Sequence, residues 1–533
     1  MALLAAFFLI GCAKRDLDGD MQPTIATQRF DGTMPVPGAV AADHPLASEA
    51  GASVLRAGGN AVDAAIAAAL ASGVVQPSGS GLGGGGFALV VPAQGEPNVL
   101  DFREVAPSAA SMESFAAQGS STRGGLAVAV PSEGIGLAEL HRMYGRASLA
   151  TIAAPAIRLA EEGFPTGEHL ARSLEESPDM RALFLTGNRR PGLAEALRAW
   201  VDTVGEAFRS GWVAEDLVST VQAQGGVLSL DDIRNYKVKL RKPLVSSYGR
   251  RTVLTMPPPS SGGVALLQVL GVAGPEASLH CEVEATKHAM ADRAAFGGDP
   301  DFASVDVARL LDPRYLGAIT ADCGPQTFPP EHYAPAPPPV DDHGTLHISA
   351  IDAEGVAVAL TTTINTSFGS HVIAGRSGIV LNNQMDDFAT RLGAPNAFGL
   401  VQGAQNAVAP GKRPLSSMTP TIVLDAQGEP EIAVGASGGP FIITATTAVL
   451  RSILDDGASA SEAVSRPRWH HQWMPNAAIV EAGFAGAEGL RAAGHDVRTI
   501  EKPFSSVQVV VARGAQFDAA SDPRKGGEPA FSR

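Results

Sequence analysis

A chain of 533 residues with a formal net charge of −15 offers no basic stripe to neutralise phosphates, which argues against nucleic-acid binding and against a polybasic membrane contact. No apolar run reaches the roughly 18 residues that a spanning helix needs. Aromatic residues make up only 5% while Ala and Gly are abundant, so the expected core is built from closely packed small side chains.

At about 150 residues per domain this length would suggest three or four units. No low-complexity linker or charge block divides the chain, however, and the one candidate boundary is the proline-rich stretch Pro329 to Pro339. The apolar run Ala2 to Gly11 ends in Leu9-Ile10-Gly11-Cys12, which resembles the lipobox of bacterial lipoproteins, although no Lys or Arg precedes it. The expectation is a signal over 1–12, lipidation at Cys12, and an exported chain that is periplasmic or membrane-anchored. Cys281 and Cys323 then form either a disulfide or two buried thiols.

Small apolar residues at helical spacing from Pro45 to Gln76, broken at Gly58-Gly59, predict two closely packed helices. The following Pro77 to Phe87 contains a formal GxGxxG at Gly79, Gly81 and Gly84. A dinucleotide loop must leave a strand and open a helix, whereas this one leaves a helix and opens a strand, Phe87 to Val91; its glycines fit a close backbone approach. A hairpin spans Ala88 to Arg103. Arg103 at its end reads either as a paired surface charge or as a fork for a substrate carboxylate. Residues 133–240 read as several helices, including Ala154 to Glu162 and Pro191 to Val201, and further helices are expected over Val264 to Val272 and Glu282 to Phe296.

The stretch from Asp341 to Phe388 organises the rest. Alternation over Leu346 to Asp352 and Val356 to Ile364, about the turn Ala353-Glu354-Gly355, predicts a hairpin. Asn365, Thr366, Asn382, Asn383, Gln384, Asp386 and Asp387 follow, reading either as loop polarity or as a pocket for a zwitterion. Thr345 stands at the first position of the hairpin. Were the Gly344-Thr345 bond cut, its α-amine, with an ordinary pKa of about 7.7–8, would lie beside its own hydroxyl as base. Downstream, Ala394 to Lys412 is a long aperiodic loop, Thr421 to Val434 a hairpin, and Val507 to Ala512 a strand.

Gly435-Ala436-Ser437-Gly438-Gly439 fits the G-x-S-x-G elbow, with Asp455 or Asp456 and His470, His471 or His495 in Ser, Asp, His order. Against that chemistry, the neighbouring strands are joined by tight hairpins, and no HGGG-type segment lies upstream. The other reading of Gly438-Gly439 is a pair of backbone amides aimed at a developing oxyanion. Neither His470-His471 nor Asp341-Asp342-His343 has a matching second cluster, so no metal is expected.

The motifs GGNAVDAAIA, GLGGGGF, LDFRE-AP, PAIRLAEEGF, MPPPSSGG, ADRAAFGGDPDF, INTSFGS, SGIVLNNQMDDF, KRPLSSMTPTIV, GASGGPFIIT and DPRKGG occur in an order that resembles the γ-glutamyltransferases of the N-terminal-nucleophile hydrolase superfamily. The resemblance implies an α+β fold, a four-layer αββα sandwich, and a precursor that cleaves itself before Thr345. The pieces would be a large subunit, 13–344, and a small one, 345–533. It implies Thr345 as nucleophile with its freed amine as base, oriented by Thr363. Arg103, Ser416 and Ser417 would take the donor's α-carboxylate, Asn365, Gln384 and Asp387 its α-amino group, and Gly438 and Gly439 the oxyanion. Ala394 to Lys412 matches the lid, with Phe398 as its gating aromatic. The implied reaction passes the γ-glutamyl group of glutathione or a related amide to water or to an amino acid or peptide, with no cofactor. Leu346, His371 and Pro131-Ser132-Glu133 depart from the family's pattern, and His371 would place bulk near the pocket. Two alternatives are a glutaryl or cephalosporin acylase of the same family, disfavoured because a glutaryl group has no amine for Asp387, and an unprocessed, non-catalytic surface-binding homologue.

Overall fold

The computed structural model describes residues 34–118, 120–333, 344–393, 396–400, 403–501 and 505–532. The export signal with Cys12, most of the proline-rich stretch, Asp341 to His343 and four positions of the expected lid lie outside them.

Sixteen strands form in chain order among the described residues. They are β1 (Gly38–Ala42), β2 (Gly85–Val91), β3 (Asn98–Phe102), β4 (Lys239–Arg241), β5 (Leu244–Tyr248), β6 (Arg251–Thr255), β7 (Leu346–Asp352) and β8 (Ala357–Thr363), then β9 (Thr421–Leu424), β10 (Pro430–Ser437), β11 (Trp469–His470), β12 (Ala478–Glu481), β13 (Val497–Ile500), β14 (Ser506–Arg513), β15 (Gln516–Ser521) and β16 (Ala530–Ser532). One sheet runs β16-β1-β7-β8-β2-β3-β4 and a second β15-β14-β10-β9-β6-β5, while β11, β12 and β13 make a small third.

The two large sheets pack face to face, and helices cover the outer face of each, which gives the expected four layers. Ile348, Ala350, Val358 and Leu360 share one core with the helices Pro45–Arg56 and Ala61–Val75. Ile351, Ala357 and Ala359 join a second core with Val434 and Val509 of the other sheet and with the helix Phe441–Leu454. Helix Ala61–Val75 is buried along its whole length, and its many alanines let it lie close against the sheet. It begins with a capping box in which Asn60 and Asp63 satisfy each other's backbone amides.

The predicted hairpin is β7 and β8, but every residue in both strands is buried. Its alternation separates two covered faces. The apolar side meets the helices, and the polar side carries His347, Ser349 and Thr361, which bond one another and the Gln508 carbonyl between the sheets. The glycine-rich loop serves the close approach that its sequence suggests. A Cβ on Gly84 would lie 2.0 Å from the Thr363 carbonyl oxygen.

Two helices begin earlier than their sequence signals. The helix Leu149–Glu162 starts at the cap Ser148 and carries Pro155 inside it, and Leu279–Phe296 starts at the cap Ser278. In both, the serine hydroxyl accepting an amide sets the boundary. Cys281 and Cys323 are joined as a disulfide.

Candidate active site

Pairing of β7 with β1 on one side and β8 on the other fixes where β7 begins. Leu346 stands opposite Thr362, so the preceding Thr345 faces Thr363, and their hydroxyl oxygens lie 3.1 Å apart. The Thr363 hydroxyl donates to the Gly344 carbonyl at 3.0 Å and accepts the Asn365 amide at 2.9 Å. The Thr345 hydroxyl also reaches the Gly344 carbonyl. The backbone before the threonine needs glycine, because a Cβ at 344 would lie 2.4 Å from the Asn365 carbonyl oxygen.

A polar group supports Thr345 from its other side. Lys525 Nζ donates to the Thr345 carbonyl at 2.7 Å and to Ser437 Oγ at 2.7 Å, with Asp43 Oδ1 3.8 Å away. Asp43 also accepts from Ser506, Gln508 and the His347 amide. Burial lowers the Lys525 pKa and raises that of Asp43, and each opposes the other's shift.

In front of Thr345 lies a cleft of about 310 Å³, partly open to solvent. It brings together Arg103, Thr363, Asn365, Gln384, Asp387, Ser416, Ser417 and Gly439, which come from separate stretches of chain. Arg103 is no surface charge: it is 1% exposed, pairs with Asp387 and donates to the Pro414 carbonyl. Asp387 also accepts from Gln384 at 2.8 Å and Asn396 at 3.4 Å. Asn365 holds a left-handed φ of 81°, a conformation its short amide tolerates better than most side chains.

Gly438 (φ 122°) and Gly439 (φ 55°) turn the chain from β10 into the helix Phe441–Leu454. Among the described residues neither amide is engaged by a backbone carbonyl. Phe398 covers this turn, since a Cβ on Gly439 would lie 2.6 Å from its ring.

The elbow reading fails on geometry. Ser437 is the last residue of β10, which is antiparallel to both of its neighbours, and its hydroxyl is taken by Lys525. Asp455 meets Tyr248 and Arg451, and His470 meets Thr444. His371, expected to crowd the pocket, does not line the cleft; its ring pairs with Asp179 at 2.9 Å.

Behind Arg103 lie two wholly buried carboxyl groups. Burial raises Glu104 to about 7, against the pull of Arg103, and Glu133 to about 8, against a hydrogen bond from Ser80. Arg293 forms another part of the cleft wall, where burial lowers its pKa to about 10. Among the described residues, two groups of potential metal ligands occur elsewhere. In one, His288 and His332 each bond Asp322; in the other, His280 and His495 adjoin Glu284, which already meets the Lys287 ammonium at 3.0 Å. Lys525, Asp43 and Arg293 escaped the sequence reading. Lys525 and Arg293 each carried a signal, as part of DPRKGG and ADRAAFGGDPDF, while Asp43 carried none.

A family model for gamma-glutamyltranspeptidase matches residues 47–532. The glutathione hydrolase proenzyme of Escherichia coli (strain K12) is 35% identical over 524 residues, 91% of this chain and 90% of its own. That of Pseudomonas sp. (strain A14) is 37% identical over 477 residues, 83% of each. Among solved structures, cephalosporin acylase from Bacillus halodurans aligns with a TM-score of 0.81 at 26% identity, over 96% of this chain and 99% of that one. The gamma-glutamyltranspeptidase of Helicobacter pylori aligns with a TM-score of 0.51 at 36% identity, over 54% of this chain and 92% of that one.

Proposed function

The chain belongs to the gamma-glutamyltranspeptidase family, and from that premise we propose that it is a self-processing γ-glutamyltransferase and glutathione hydrolase. The observation that carries this reading is the position of the Thr345 hydroxyl, between the Gly344 carbonyl and Thr363, at the edge of a cleft holding one paired cation and anion. In the precursor, Thr345 Oγ adds to the Gly344 carbonyl carbon while Thr363 donates to its oxygen. The 344–345 C–N bond breaks, the nitrogen takes the proton, and water hydrolyses the resulting ester. The products are a large subunit that ends at Gly344 and a small one, 345–533, whose first residue is the nucleophile.

The freed amine, ordinarily near pKa 7.7–8, takes the hydroxyl proton as Oγ attacks the donor's γ-carbonyl. The amides of Gly438 and Gly439 receive the developing oxyanion. The leaving amine takes the proton, and water or the amine of an acceptor amino acid or peptide resolves the ester. At the other end of the donor, the α-carboxylate displaces Asp387 from Arg103 and is completed by Ser416 and Ser417. The α-ammonium takes Asp387, Gln384 and Asn365. Glutathione fits this pattern, whereas a glutaryl amide leaves Asp387 without a cation. We place the enzyme outside the cytoplasm, with Cys12 as its lipid-anchored first residue.

The test is hydrolysis of γ-glutamyl 4-nitroanilide beside glutaryl 4-nitroanilide, with Thr345→Ala as control and a denaturing gel to follow cleavage. Two bands and a preference for the γ-glutamyl donor are expected, with one band and no turnover in the variant. Faster glutaryl turnover overturns the substrate assignment, and an uncut, inactive parent overturns the enzyme.

A further inference from the structure

The donor cleft holds one more positive charge than capture of a zwitterion requires. Arg103 and Arg293 are the cations in its wall and Asp387 is the anion. With Arg103 paired to Asp387, the Arg293 guanidinium is left over. Arg293 projects from the helix Leu279–Phe296 and is 5% exposed. Its Nε and Nη1 are fully buried and have no hydrogen-bond acceptor among the described residues. It also lines a second cavity, between that helix and Gly262–Val272, so its side chain forms the partition between the two spaces. Among the described residues, that second cavity supplies no anion paired with the guanidinium. The neighbouring Asp292 is engaged by Gln268 and Tyr315 instead.

A desolvated guanidinium with unmade hydrogen bonds is costly unless an anion reaches it. Asp387 favours the Arg293 charge and Arg103 opposes it. When an incoming ammonium claims Asp387, that support is divided, and a carboxylate placed between the two guanidinium groups restores it. Two forks also fix the plane of a carboxylate, which one cannot do alone.

We propose that Arg293 is a further specificity-determining residue, which holds the donor's α-carboxylate jointly with Arg103. This rests on the γ-glutamyl reading above, which already places the α-carboxylate on Arg103, and adds to it a residue.

The experiment compares kcat/KM for γ-glutamyl 4-nitroanilide with that for 4-aminobutanoyl 4-nitroanilide, which keeps the amine and lacks only the carboxylate. The parent prefers the first donor. In Arg293→Met that preference falls about 10- to 100-fold, the scale of one charge-assisted hydrogen bond, and the loss lies mainly in KM. Arg293→Lys keeps the charge without the fork and retains an intermediate preference. A residue that only supports the fold would lower both donors together, so a preference unchanged in both variants overturns the proposal. Should Arg293→Met remain a single uncut band, the lysine variant decides alone, and parental preference there counts against the proposal. A parent that turns over neither donor sinks the underlying γ-glutamyl reading and this proposal with it, a result distinct from an unchanged preference.

Discussion

Lys525 shows what a single residue contributes here. Its ammonium holds the carbonyl of the very residue whose hydroxyl must approach the Gly344 carbon, 180 positions away in sequence. Lys525→Met leaves that carbonyl, and Ser437, without their donor. Loss of one charge-assisted bond of about 1.5–3 kcal/mol slows conversion of precursor to two bands by about 10- to 100-fold. Densitometry of a time course checks this, and conversion at the parental rate contradicts it. Gly439→Ala acts at the other side of the reacting carbon. At φ 55° with the Phe398 ring 2.6 Å from the new methyl, the turn shifts, and kcat falls at least about tenfold in a steady-state assay while the subunits still form. The Thr345, Thr363, Arg103 and Asp387 group was legible because each sits in a dense local motif. Arg293 also lies in a motif, ADRAAFGGDPDF, but its role was not legible, since an arginine on a helix is ordinarily a solvated charge and only tertiary packing turned it inward.

Single elements were legible where a local signal controls them. The two helices before the glycine loop, the β7–β8 hairpin and the strand after the loop fall where spacing puts them. Edge and return strands did not announce themselves: β4 and β16 are three residues each and gain their pairing from distant partners. Nor could alternation say that the polar face of β7 is buried, because a face covered by a second sheet and one covered by water carry the same period. The start of the helix Glu133–Tyr144 yields a prediction at this scale. Glu133 is buried there, and its carboxyl titrates near 8 where an unfolded glutamate titrates near 4.5. The folded state therefore holds the proton more tightly, so this stabilisation is full below pH 4.5 and is lost as pH rises through 8. Glu133→Gln cannot ionise. The variant is expected to resist thermal unfolding better than the parent at pH 9. Its advantage is at most about 1.4 kcal/mol for every tenfold by which folding tightens the glutamate's hold on its proton, and the two proteins converge as pH falls below 4.5. Parallel pH profiles would contradict this.

At the scale of the molecule, the position of the 344–345 bond decides what cleavage can do. In the sheet β16-β1-β7-β8-β2-β3-β4, the strands β1, β2, β3 and β4 come before the bond, and β7, β8 and β16 after it. In the other sheet β5 and β6 come before it, and β9, β10, β14 and β15 after. Strand β1 is hydrogen-bonded on both sides to strands from the far piece, and β8 pairs with β2. Neither piece keeps either large sheet complete, and separating them would expose the core between those sheets along with unpaired strand edges. The cut therefore frees an amine without freeing a subunit. Processed protein is expected to run as two bands on a denaturing gel, to elute as one peak on size exclusion at the volume of the Thr345→Ala precursor, and to unfold in one transition. Two peaks in the absence of denaturant, or separate transitions for the two pieces, would show that the interleaved pairing does not hold the halves together.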